Sequence, residues 1–186
     1  MTRVGLPKFF GMISALVCGS AFLPASASAD SLTVNATGTI AGSCGISVVS
    51  DFPANANLAV SGSASASASV SCATPFKLNA TSANGNLKNL VAAVSSFTNT
   101  LAYVLTVSVA LDSGGPVSAN CNSATLVAGQ SGCALSPANS TGLSSGSAIA
   151  TNKTATLTAA WTTPASPQLV AGSYADTLTI SIAAVP

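Results

Sequence analysis

The C-terminal part of the chain alternates apolar and polar residues with a period of two. Leu178, Ile180 and Ile182 fall on one face and Thr177, Thr179 and Ser181 on the other, the pattern of a strand with one buried face. The same pattern recurs along the chain. Residues 31–40 set Leu32, Val34, Ala36, Gly38 and Ile40 against Ser31, Thr33, Asn35, Thr37 and Thr39. Ile46 and Val48 begin a strand that ends near Asp51-Phe52-Pro53. Ala64, Ala66, Ala68, Val70 and Cys72 then alternate with five serines. A Ser/Ala run can be a low-complexity linker, but strict alternation ending at a cysteine close to Pro75 predicts a strand packed through small side chains. Phe76, Leu78 and Ala80 predict the next strand, Leu101, Tyr103, Leu105, Val107 and Val109 another, and Ala155, Leu157, Ala159 and Trp161 a further one.

Turn signals punctuate these runs at Ala41-Gly42-Ser43, Asn84-Gly85, Gly114-Gly115-Pro116, and between Pro164 and Pro167. Residues 113–150 are mostly Ser, Gly, Asn and Ala, with short strands expected only around 125–127. No helical period is sustained anywhere. Seven or so short strands with such turns predict an all-β sandwich. The last strand lies close to Pro186, so the sequence offers no later segment to pair with one of its edges, and that edge requires a cover.

The first residues do not fit this pattern. Arg3 and Lys8 precede an apolar run over residues 9–23, and Ala27-Ser28-Ala29 has the spacing of a cleavage site. Residues 1–29 are therefore expected to be a secretory signal peptide rather than a membrane anchor, the run being short and ending at Pro24. The expected organisation is this signal, a strand-forming extension over 30–41, and a β-domain over 42–186.

Charge and cysteine content narrow the function classes. Beyond residue 29, Lys77, Lys88 and Lys153 stand against Asp30, Asp51, Asp112 and Asp176. A chain so close to neutral lacks the cationic surface needed to capture nucleic acid or anionic membrane. It has no further apolar run of spanning length. Cys44, Cys72, Cys121 and Cys133 form an even set in an exported chain, so two disulfides are expected. Three pairings are possible and the sequential one is the expectation. Each loop closed this way would stabilise the fold by roughly 3 to 3.5 kcal/mol in the chain-entropy account. With no Cys-x2-Cys knuckle and no histidine, the set is a poor zinc site.

Catalytic chemistry has little to work with. There is no histidine, all four acidic residues are aspartates, and the glycines form no phosphate-binding array. A Ser-His-Asp triad is excluded. Asp176 reads as a turn residue accepting local N–H bonds. The expectation is a protein that is not an enzyme and carries no cofactor or metal.

Several of these segments together resemble a known family. They are the alternating extension leading into Gly42-Ser43-Cys44, Cys72 before Thr74-Pro75-Phe76-Lys77-Leu78, and Leu101-Ala102-Tyr103-Val104-Leu105. The most specific is the closing Ala171-Gly172-Ser173-Tyr174-Ala175-Asp176-Thr177-Leu178-Thr179-Ile180. This set is similar to the spore coat protein U domain family, which includes pilin subunits of archaic chaperone–usher pili. The resemblance implies an incomplete immunoglobulin-like sandwich whose missing strand is supplied from outside. The suppliers would be a periplasmic chaperone at first, and later the N-terminal extension of a neighbouring copy or related pilin subunit, threaded through an outer-membrane usher. It implies donor residues Leu32, Val34, Ala36, Gly38 and Ile40, with Leu178, Ile180 and Ile182 at the edge of the acceptor groove. The product would be a fibre at the cell surface. The alternative is a self-complemented monomer, a secreted coat or binding protein whose extension fills its own groove.

Overall fold

The computed structural model describes residues 43–136 and 142–185. The expected signal peptide and the extension over 30–41 lie outside the described residues.

Alternation becomes strand wherever a run of the period-two pattern is long. β1 (Cys44–Ser50), β2 (Gly62–Cys72), β7 (Tyr103–Val109), β8 (Val117–Asn122) and β10 (Ala150–Trp161) form an antiparallel sheet in the order β1-β2-β10-β7-β8. A second antiparallel sheet, in the order β13-β3-β9, contains β3 (Phe76–Ser82), β9 (Leu143–Ser144) and β13 (Leu178–Ala184). The inner faces of these two sheets share one core, giving an all-β sandwich. Shorter pieces complete it. β4 (Leu87–Asn89) lies between β6 (Thr100–Leu101) and β12 (Tyr174–Ala175), and β5 (Phe97–Thr98) pairs in parallel with β11 (Gln168–Leu169).

The core is uneven from one side to the other. Leu105, Val107 and Val109 of β7 are fully buried and face a core that includes Phe76 and Leu78 of β3. On that side the loops add Leu126 and Leu135, both completely buried, and the Leu135 carbonyl accepts the Ala80 N–H (2.8 Å). Cys121 at the end of β8 is bonded to Cys133 in the same loop, which staples this side shut. The other disulfide joins Cys44 to Cys72, directly opposite each other on β1 and β2 with Cα atoms 4.1 Å apart. The pairing is thus the sequential one. Two disulfides of this kind suit an oxidising, non-cytoplasmic environment.

The Ser/Ala run is a full strand. Its serines face outward and Ala66, Ala68, Val70 and Cys72 face the core, in register with Leu157, Ala155, Lys153 and Ala150 of β10. One local expectation fails. Residues 125–127 form no strand: Ser123–Leu126 is a single 3-10 turn, preceded by β8, which the sequence pattern did not single out. The Thr125 hydroxyl donates to the Asn122 carbonyl (2.7 Å), a local bond that favours a turn over an extended chain. No helix among the described residues is long and apolar enough to cross a membrane.

Candidate functional site

Among the described residues the sandwich is open on the side opposite its loop staple. β1 ends one sheet and β13 ends the other, and among the described residues neither has a strand on its outer edge. The ladders fix where those edges point. Ala83 N–H donates to the Thr177 carbonyl (2.9 Å) and Val185 N–H to the Pro75 carbonyl (2.7 Å), so the odd-numbered residues of β13 turn their peptide groups toward β3. In an antiparallel ladder the alternate residues, Leu178, Ile180, Ile182 and Ala184, then aim N–H and C=O at the free edge. On β1, Ala73 N–H donates to the Ser43 carbonyl (3.0 Å), which by the same rule leaves Cys44, Ile46 and Val48 aiming outward. These are the same residues whose side chains turn toward the core, so each rim combines apolar side chains with peptide groups that have no strand partner among the described residues.

Between the rims lies a groove of about 1160 Å³. Its floor is Ala64, Ala66 and Ala68 of β2 with Leu157, Ala159 and Trp161 of β10. The rims carry Ile46 and Val48 on one side and Leu178 and Ile180 on the other. Ile182 is not among the lining residues. It packs half-buried against the core toward the narrow end, where β1 and β13 come into contact. β1 runs away from that end and β13 runs toward it, so the two rims are antiparallel. Past the strands the groove continues between residues 51–59 and residues 169–177, two walls that sequence reasoning did not assign. Residue 49 is an extra residue in β1, a bulge that ends its regular edge at Val48; the Ser50 hydroxyl accepts the Ser67 N–H there (3.1 Å).

The closing motif builds one wall of this groove. Gly172 has φ of 140°, and a Cβ there would stand 2.7 Å from the Asn89 side-chain nitrogen, so only glycine fits. The Tyr174 hydroxyl lies 2.9 Å from the Val170 carbonyl and 3.1 Å from that of Thr98, tying the wall to β5. Asp176 does more than the local turn role expected of it. One carboxylate oxygen accepts both the Ser82 hydroxyl and the Tyr103 hydroxyl, each at 2.6 Å. The other accepts the N–H groups of Asn84 (3.0 Å) and Thr177 (2.8 Å). Ser82 and Tyr103 are buried, and they belong to opposite sheets. Tyr103 could have been flagged from sequence, because a phenol on the core face of an apolar strand requires a buried partner.

A carboxylate that accepts four hydrogen bonds is a fastening, and the groove combines a mainly apolar floor and two strand edges with polar residues such as Asn55 and Asn57 in its walls. Such a site suits an extended peptide that adds a strand and places alternate side chains on the floor. Comparisons with family models, with curated proteins and with solved structures return no match.

Two outcomes follow from this geometry. In the monomeric chain, hydrogen exchange resolved by residue should alternate along β13, with Thr179, Ser181 and Ala183 protected and Leu178, Ile180 and Ile182 fast; uniform protection would mean that the edge is covered. Burial first, and then the hydrogen bond and charge of Asp176, push the Tyr103 phenol well above its ordinary range. A raised phenol favours the folded state below its unfolded value near 10, and that contribution is lost as pH rises toward the folded value. Stability should therefore fall above about pH 10. Asp176→Asn should bring the Tyr103 midpoint down in an ultraviolet titration.

Proposed function

We propose that this protein is a non-catalytic structural subunit of a secreted fibre, assembled when an extended strand from a neighbouring copy enters the groove between β1 and β13. The observation that carries this reading is the coincidence, on both rims, of free peptide groups and inward-facing apolar side chains. A strand laid there would bond along both edges and cover the alanine floor, completing an immunoglobulin-like sandwich. Main-chain bonds would supply the affinity and alternate side chains the selectivity.

The donor in this reading is the extension over 30–41, with Leu32, Val34, Ala36, Gly38 and Ile40 facing the floor. It has the required period of two, and its outer face is hydroxyl and amide. Before assembly, a periplasmic chaperone would cover the exposed edges, which are otherwise a route to uncontrolled association. An outer-membrane usher would then pass the subunit to the growing fibre. Residues 1–29 would direct export, and the two disulfides would form in the periplasm. This proposal agrees with the resemblance to the spore coat protein U domain family and to archaic pilin subunits.

A second reading has its own support. The extension joins β1 directly at the narrow end, so a turn at Ala41-Gly42-Ser43 would let it fold back antiparallel to β1 and fill the groove of its own chain. The protein would then be a self-complemented secreted monomer.

Deleting residues 30–41 separates the two. Assembly between copies predicts that the mature chain forms linear polymers on size-exclusion chromatography and electron microscopy. The truncated chain should form none, and should still capture a synthetic 30–41 peptide. Self-complementation predicts that the full mature chain remains monomeric and that truncation lowers its own melting temperature. That second pattern would rule out the fibre reading.

A further inference from the structure

A groove between two sheets works only if its rims stay the right distance apart. Apolar contact alone does not set that distance, because exposed apolar edges gain by closing on each other. At the narrow end β1 and β13 are in contact, while the Cys44–Cys72 disulfide and the Val185 N–H bond to Pro75 each hold one rim to its own sheet. The wide end has no covalent tie among the described residues. What spans it is the Asp176 carboxylate, one residue before Thr177 and two before the first residue of β13.

Its bonding pattern is that of a spacer. Tyr103 reaches it from the first residue of β7 in the five-stranded sheet, at the level where β7 pairs with Trp161 on the groove floor. Ser82 reaches it from the last residue of β3 in the facing sheet, and its hydroxyl in turn accepts the Gly85 N–H (2.7 Å). Asn84 and Thr177 hold the other oxygen. Hydroxyl bonds to a carboxylate are short and about twice as strong as neutral ones. Both hydroxyls come from buried residues, so loss of the acceptor would leave buried donors without a partner. Asp176 and Tyr103 themselves line the groove.

We infer that Asp176 is a positioning residue for strand capture: by bonding Tyr103 and Ser82 together, it holds the start of β13 away from the floor at Trp161 and keeps the wide end open to an incoming strand. This inference rests on the reading of the groove as a strand acceptor. Without the clasp, Leu178 either settles onto the floor or frays outward, and in both cases the rim that must pair with the arriving strand is lost.

The test uses the mature chain without residues 30–41, so that its own extension does not fill the groove, a fluorescent peptide with the sequence of those residues, and hydrogen exchange of the rims. Asp176→Asn should weaken peptide capture by about tenfold or more, the effect of losing charged hydrogen bonds. It should speed exchange at the ladder-bonded amides of Thr179 and Ser181 while leaving those of Gly45 and Ser47 on β1 unchanged. Tyr103→Phe, which keeps three of the four donors, should fall between the parent and Asp176→Asn, and serves if the latter does not fold. Leu126→Ala, a cavity on the stapled side, should lower the melting temperature at least as much and capture the peptide as the parent does. Equal capture by parent and Asp176→Asn overturns the inference, as does equal loss in Leu126→Ala, which would make the effect one of general stability. If the parent itself captures no peptide, the acceptor reading fails. The positional claim is then decided by exchange alone: selective loosening of Thr179 and Ser181 supports it, and unchanged ladders overturn it.

Discussion

Two strand edges that have no partner among the described residues, facing each other across a floor rich in alanine, are the constraint on which the rest of this structure depends. On the stapled side, large side chains from both sheets and from the loop fill the core, as close packing requires. On the open side Ala64, Ala66, Ala68 and Ala159 make up most of the floor beside Leu157 and Trp161, and Leu178 and Ile180 opposite are only half-buried. Val48 is 71% exposed although it stands on the groove rim. Side chains this small cannot close the gap, so the apolar surface stays available to something that can. An edge of this kind is normally blunted by charge, proline or a bulge. Here the bulge at residue 49 limits β1 to a short pairing edge, while β13 keeps a regular edge along its length.

The closing stretch of the chain supplies the other half of the account. Even a half-buried carboxylate loses hydration that hydrogen bonds or an opposite charge must replace. Asp176 has no cation among its hydrogen-bond partners, and four neutral donors from three separate segments meet it instead. Such a group cannot move without stranding its partners, which gives the wide end of the groove a defined geometry. Gly172 and Tyr174 serve the same wall by different means, one through the absence of a Cβ and the other through a hydroxyl that reaches the Val170 and Thr98 carbonyls. Three residues that are scattered letters in the motif thus share one structural task.

Much of the fold was legible because period-two alternation is a local signal. β2, β3, β7, β10 and β13 each announce themselves through side chains on one face, and even the Ser/Ala strand is readable from its regularity. The two-residue strands β5, β11 and β12 are too short to show a period and exist only through their pairings. β8 and the 3-10 turn at Ser123–Leu126 were obscured in a segment whose small polar residues suit strand, turn and loop alike. The candidate site was half legible. Leu178, Ile180 and Ile182 all stand on the outer edge of β13, and the first two also line the groove. The walls at residues 51–59 and 169–177, and the Asp176 clasp, depend on contacts between segments more than 70 residues apart, which no local pattern encodes.

The central claim is that the groove receives residues 31–40 of another copy, and photo-cross-linking tests it most directly. A photoreactive residue at position 34 of an unlabelled mature chain, mixed with isotope-labelled chains, reports by mass spectrometry both the contact and the chain that supplies it. The account predicts cross-links from position 34 to Leu157, Leu178 or Ile180 of the labelled copy. Cross-links confined to the same chain, or to surfaces outside the groove, would contradict it.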